Sequence, residues 1–302
     1  MRVLITGATG LIGQGIVKQC HERGIDVNYL TTSISKIEYG NNYKGFYWNP
    51  KTQDLDKQCF KGVDAIIHLA GASIAKRWTP NYKEEIISSR VTTTNLLINT
   101  LKGESHNIKQ VISASAIGLY PDSLVNYYDE SFKPFGKTFL SAVVQQWEQA
   151  VNEFSKLNIN IAKVRIGLVL SKEGGALQEI AQPIKFGLGA AFGSGKQWQS
   201  WIHIEDLVKL FVYILEYNLV GVYNGVAPNP VTNKELVKAI AKRLNRPLFL
   251  PNIPKIFMKW LLGEMHTILF ESQRVSSRKI ENKGFHYNYN YLKPALKDLL
   301  GK

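Results

Sequence analysis

Cysteine is nearly absent from this 302-residue chain: only Cys20 and Cys59 occur, without CxxC spacing and without histidines placed to join them. A disulfide framework is thereby excluded, and no metal site is suggested. Long apolar runs are missing as well. None reaches the roughly 18 residues that a membrane span needs, so no membrane partner is expected. Repeats and low-complexity tracts do not occur. No targeting segment precedes the first apolar strand, which points to a cytoplasmic protein. Acid is also scarce: 24 Asp and Glu against 37 Lys and Arg leave a net charge of +13. The cations are spread along the whole chain with no stripe and no aromatic interleaving. They therefore read as a solvated basic surface and not as a nucleic-acid interface, with a few charges free to meet an anionic ligand. With 45% hydrophobic and only 20% charged residues, the chain is globular and long enough for one large core or a core with an appended lobe.

What the chain has is a glycine-punctuated start, MRVLITGATGLIG. Arg2 to Thr6 is β-branched enough for a buried strand, and Leu11 to Arg23 has helical spacing that stops at Gly24. Between them stand Gly7, Gly10 and Gly13. Gly7 suits a tight turn, Gly10 leaves the backbone bare for a pyrophosphate, and Gly13 permits close packing of helix on sheet. Strand, glycine turn and helix in that order predict dinucleotide binding, with the pyrophosphate on the helix N-terminus.

Strand signals recur at Asp26 to Thr31, Ala65 to Leu69, Ile108 to Ala114 and Ile159 to Val164, with helical patterns at Thr79 to Leu101 and Phe139 to Leu157. That alternation predicts an α/β fold, a Rossmann-type doubly wound parallel sheet. From about residue 170 glycine-rich loops appear, at 174–175 and 187–195. Helices follow at Glu205 to Tyr217, Asn233 to Leu244, capped by a Thr232/Glu235 box, and Leu292 to Leu300. The expected division is a dinucleotide-binding domain over 1–170 and a smaller C-terminal substrate lobe over 171–302, interleaved with the first domain through 195–230.

His68-Leu69-Ala70-Gly71 closes one strand with small residues where a cofactor would pass, and Ser113-Ala114-Ser115 ends the next with hydroxyls at the same rim. His68 itself reads as a packed, hydrogen-bonded residue. GATGLIG, HLAG and SASAIGLY together resemble the extended short-chain dehydrogenase/reductase superfamily in order and spacing. A narrower resemblance spans the chain through Arg77-Trp78, SRVTTT at 89–94, FLSAVVQQWE at 139–148, RIGLVLSKEGGAL at 165–177, GSGKQWQSWIHIEDL at 193–207, APNPVTNKEL at 227–236 and KGFHY at 283–287. It is to an atypical branch known by names such as NAD-dependent epimerase/dehydratase and cell-division-inhibitor-like, whose substrate is generally unassigned. The resemblance implies cofactor contacts from Gly7, Thr9, Gly10, Leu11, Ile12, Gly13, Leu69, Ala70, Gly71 and Arg165, with Ser115 at the catalytic serine's place.

Where that superfamily places a Tyr-x-x-x-Lys pair, this chain has Phe139 and Val143. Phenylalanine has no proton to give and valine no charge, so the usual proton-coupled hydride transfer cannot run on this pair. Substitute acid/base groups are sought in Tyr120, Glu148, His203 and Asp206, each of which also has a plain packing, surface or capping reading. Arg77, Trp78, Lys83 and Trp201 are candidates for a substrate pocket, with Arg90 on the same helix as Lys83. At the end of the second strand, Leu30-Thr31-Thr32-Ser33 carries no acid for a ribose 2′-hydroxyl, which favours NADP over NAD, with Thr32, Ser33 and Lys36 near the 2′-phosphate. Two functions remain open: an NADP(H)-dependent oxidoreductase or epimerase acting on a small-molecule substrate, or a non-catalytic NADP-binding redox sensor or protein-interaction module. Self-association is an allowed further partner.

Overall fold

A computed structural model describes residues 1–301. Strand β1 (Arg2–Thr6) leads through the glycine turn into helix α1 (Leu11–Glu22), then β2 (Asp26–Thr31), β3 (Tyr43–Asn49), the short β4 (Asp54–Leu55) and β5 (Ala65–His68). Helix α2 (Pro80–Lys102) is followed by β6 (Gln110–Ala116), a short β7 (Tyr127–Tyr128), α3 (Phe139–Asn152), β8 (Asn160–Ile166) and β9 (Leu168–Leu170). The C-terminal part holds α4 (Ala176–Lys185), β10 (Trp198–Gln199), β11 (Trp201–His203), α5 (Ile204–Glu216), β12 (Gly221–Gly225), β13 (Val231–Thr232) and α6 (Asn233–Arg243). It ends with α7 (Lys255–Leu262), α8 (Thr267–Phe270), β14 (Arg274–Val275), α9 (Arg278–Glu281) and α10 (Leu292–Leu300).

The main sheet runs β12-β8-β6-β5-β1-β2-β3-β4, parallel throughout except for the terminal β3–β4 pair. Strand order reverses beside β1, so the crevice at its carboxyl end is where an open α/β sheet takes a ligand. Alternation along β1 sorts its side chains onto two helical layers. Val3 and Ile5 join one core with Ile16 of α1 and Leu207 and Phe211 of α5, while Leu4 joins another with Leu96, Leu97 and Leu101 of α2. A third core packs α4, α6 and α10 together, and α5 and β12 return the chain to the main sheet. Among the described residues no helix is long and apolar enough to cross a membrane.

The predicted strands and helices of the first half appear within a few residues of their expected ends. Helix α3 gives way to a 3₁₀ turn at Glu153–Leu157, where one unbroken helix was expected, and Asn158 in the left-handed region stops it. Strand β3 was not expected, because Gly45 interrupts its pattern. A Cβ there would stand 2.6 Å from the Tyr29 hydroxyl, so packing and not a turn requires the glycine. Helix α4 was hidden by the flanking glycines and by Pro183 near its end. The capping box of α6 is present, with the Thr232 hydroxyl accepting from the Glu235 backbone and Glu235 accepting from the Thr232 backbone.

Candidate dinucleotide site

Gly7 turns the chain out of β1 with φ +73, a conformation L side chains rarely adopt, and faces the backbone of Leu69 at 3.2 Å from its missing Cβ. Gly13 is required by contact, since its Cβ would lie 2.2 Å from the Gly7 carbonyl oxygen. Gly10 caps α1 without any side-chain hydrogen bond, so the backbone donors at Leu11, Ile12 and Gly13 in the first turn receive no side-chain cap. Nothing but the Gly7 carbonyl lies within 4 Å of a Cβ built on Gly10, leaving the space above the helix end open. An uncapped, positively polarised helix end under open space is an anion cradle.

The cradle opens into an 850 Å³ cleft along the carboxyl ends of β1, β2, β3 and β5. Of the residues expected to meet a cofactor, Gly7, Thr9, Thr32, Ser33, Ala70 and Gly71 line it, together with Lys36, while Gly10, Leu11, Ile12 and Gly13 are not part of its wall. The opposite wall was missed: Tyr47, Asn49 and Lys51 from the end of β3, and Ser88, Ser89 and Thr92 from α2. The aromatic run Phe46-Tyr47-Trp48 before Asn49-Pro50 was the available signal for that wall.

The turn after β5 is fixed by Thr6. Its hydroxyl oxygen accepts from the backbone N–H of Leu69 at 3.0 Å and of Ala70 at 3.1 Å, and lies 2.8 Å from His68 Nδ1. With the Thr6 proton given to Nδ1, His68 Nε2 donates to Thr94 Oγ1 at 3.0 Å, whose own proton goes to the Arg90 carbonyl. Burial pushes the imidazole down to about 4, so it is neutral and structural. Leu69 is consequently held by its backbone and packs against the core. Arg90 is occupied in the same way, donating to the carbonyls of Ile86 and Ala72 and lying over the Trp147 ring.

Ser115 ends β6 but hardly reaches the surface. Its hydroxyl donates to Glu148 Oε1 at 2.7 Å, and Glu148 is gripped in a two-point pair by Arg165, at 2.8 and 3.1 Å, with Lys163 at 3.3 Å. Burial alone would raise the Glu148 pKa, but the hydrogen bonds and charge of Arg165 outweigh it and the carboxyl is held below its ordinary value. Arg165 also donates to the Tyr120 hydroxyl at 3.0 Å, which in turn donates to Asn224 Oδ1 at 2.8 Å. Two expectations are corrected here. Arg165 spends its guanidinium donors on Glu148 and Tyr120 and is 3% exposed, so it does not line the cleft. Tyr120 is 1% exposed, with burial pushing its pKa up to about 12, so it is not an accessible acid.

The positions of the missing pair form an apolar cluster in which Trp78, Ile86 and Val143 pack with Phe139, Leu140 and Met265. Trp78 is buried, its ring edge-on to Phe139 at 5.1 Å and its indole N–H donated to the Ile74 carbonyl. It therefore supports Phe139 from within instead of facing a substrate. Lys83 lies 4.9 Å over the Phe139 ring and pairs with Glu264, while Arg77 is exposed nearby.

The WIHIED segment, expected to face the substrate, is a structural joint. Trp201 is wholly buried in the core formed with α4, α6 and α10 and donates to the Asn229 carbonyl. His203 caps α5, its Nδ1 accepting from the Glu205 backbone, stacks on Tyr289 at 3.8 Å and turns Nε2 toward Asp298 at 3.3 Å. Burial lowers its pKa despite the two acids. Asp206 accepts from the backbones of Asn288 and Tyr289, tying α5 to the C-terminal segment. Trp201 and His203 therefore leave the candidate set.

Residues 3–224 match the family model of the NAD dependent epimerase/dehydratase family, and residues 253–299 match a domain of unknown function, DUF1731. An epimerase family protein of Staphylococcus aureus strain MRSA252 is 35% identical over 300 residues, covering 99% of both chains. The crystal structure of human epimerase family protein SDR39U1 with NADPH superposes with a TM-score of 0.85 at 31% identity, covering 99% of both chains. A nucleoside-diphosphate sugar epimerase from Corynebacterium glutamicum has a TM-score of 0.78 at 28% identity, covering all of this chain and 58% of that one.

Proposed function

Since the chain belongs to the NAD dependent epimerase/dehydratase family, as an atypical extended short-chain dehydrogenase/reductase, we propose that it is an NADP(H)-binding oxidoreductase or epimerase of the cytoplasm acting on a small anionic substrate. The observation that carries this reading is the absence of an acid at the β2 and β3 side of the cleft, where Thr32, Ser33 and Lys36 are joined by Lys51, while the carboxylate Glu85 lines the α2 wall. A carboxylate at the β2 and β3 side would bind a ribose 2′-hydroxyl and repel a 2′-phosphate; hydroxyls and ammonium groups suit the phosphate. The human relative crystallised with NADPH supports the same choice. The backbone donors of Leu11, Ile12 and Gly13 would hold the pyrophosphate.

A bound nicotinamide dinucleotide supplies the hydride donor or acceptor. The chain's own part is positioning. Ser115 is buried with its one proton committed to Glu148, so it fixes the end of β6 and is not free to donate to a substrate oxygen. Lys83 lies over the Phe139 ring with its charge met by Glu264, which leaves the exposed Arg77 to meet an anionic group of the substrate. Phe139, Val143 and Trp78 keep water from the place where a phenol and an ammonium would otherwise stand.

That same apolar cluster favours a second reading, a dinucleotide-binding redox sensor or interaction module without turnover. Fluorescence titration tests the shared premise. NADPH is expected to bind about tenfold tighter than NADH at low ionic strength, with the gap narrowing as salt screens the lysines. Equal affinities at low salt would remove the NADP assignment.

A further inference from the structure

The cations that look scattered in the sequence are partly gathered by the fold. The loop after α4 runs beside the segment before α7: the Ile253 backbone donates to Ala191 and accepts from Gly193, and a Cβ on Gly189 would touch Leu248. Neither stretch contains an acid, with no Asp or Glu from residue 180 to 202 or from 236 to 263. Their outward side chains are of two kinds. Large apolar groups stand in solvent, led by Phe249 and Ile256 at 79% exposure, Phe186 at 78% and Trp260 at 77%, with Leu188 and Phe257 beside them in the chain. Exposed Lys185, Lys242, Arg246, Lys255 and Lys259 are interspersed. Helix α7 is anchored mainly through Met258, its one buried residue, and the half-buried Leu262.

We propose that this face, centred on α7, docks onto the surface of an anionic phospholipid bilayer. Exposed Trp, Phe and Ile interleaved with Lys, on a short helix lacking acids, is the pattern of an in-plane interfacial helix, with rings entering the headgroup boundary and ammonium groups meeting lipid phosphates. Charge complementarity selects the partner: a second copy of this chain would bring the same positive face to it, whereas an anionic bilayer brings the opposite charge.

Flotation with the full chain tests it, using vesicles of phosphatidylglycerol mixed with phosphatidylcholine and vesicles of phosphatidylcholine alone. The protein is expected to float with the anionic vesicles only, and raising NaCl from about 50 to about 500 mM is expected to lower the bound fraction roughly fivefold or more. The exposed double substitutions Phe257→Ser/Trp260→Ser and Lys255→Glu/Lys259→Glu should each weaken binding on the order of tenfold while leaving the thermal midpoint unchanged. No flotation of the unaltered protein overturns the proposal. So does a loss confined to the lysine variant, which would reduce the effect to nonspecific charge. A concentration-dependent dimer that Trp260→Ser dissociates would assign the face to self-contact and also overturn it.

Discussion

The glycine turn after β1 and the end of β6 are built on opposite principles. At the glycine turn the protein leaves polar groups unspent: α1 has no side-chain cap, Gly10 stands under open space, and Lys36 and Lys51 line the rim. At the end of β6 polar groups are consumed internally. Ser115, Glu148, Arg165, Tyr120 and Asn224 satisfy one another in a buried chain, and Phe139 and Val143 are embedded among apolar neighbours. Unspent donors mark a place prepared for a ligand, and a closed network marks a place prepared for rigidity. On the proposed reading, ligand recognition is built in separately from any proton chemistry.

The largest expected effects break one region without the other. Gly10 has an extended backbone that any residue can adopt, so Gly10→Val should leave the fold intact while its side chain occupies the cradle. NADPH affinity should fall roughly 100-fold or more by fluorescence titration, with an unchanged thermal midpoint. Arg165→Met should do the reverse. It strands a buried carboxylate and should cost about 3 to 5 kcal/mol in chemical denaturation, with NADPH affinity nearly kept. A comparable loss of affinity in Arg165→Met would mean that the two regions are one unit.

A smaller effect sharpens the comparison through pH. His68 sits between the two regions, and burial holds its pKa in the folded protein down at about 4, below the ordinary imidazole value of 6.5. Its contribution to stability is present above the unfolded value and is lost as pH falls from there through about 4, because the unfolded chain binds the proton first. The loss should be ~3 kcal/mol in unfolding experiments across that window. A His68→Gln variant should show a correspondingly shallower pH slope, and an unchanged slope would mean the imidazole is not held neutral.

What the sequence made legible was local. The strand, glycine turn and helix lie within one stretch, and Ala70 and Gly71 follow directly from the end of β5, so their placement at the cleft needed no long-range contact. The Ser115–Glu148–Arg165–Tyr120 network joins three separate segments, the end of β6 with its following turn, α3 and β8, and no spacing announces it. WIHIED misled for a different reason. A cluster of Trp, His and Asp looks the same in sequence when it faces a ligand and when it fastens a helix, and here Asp206 fastens α5 to the backbone of Asn288 and Tyr289. The far wall of the cleft was lost because Gly45, needed to clear Tyr29, broke the signature of β3.

The separation of recognition from proton chemistry is tested most directly by measuring NADPH affinity and turnover of simple aldehydes on the same preparations of the unaltered protein and Phe139→Tyr. Both should bind NADPH, and both should turn over too slowly to detect. General acid catalysis usually contributes on the order of 10² to 10⁴ in rate, and Val143 offers a new phenol no charge to lower its pKa. Brisk aldehyde reduction by either protein would show that a working acid already faces the cofactor, and would contradict the account.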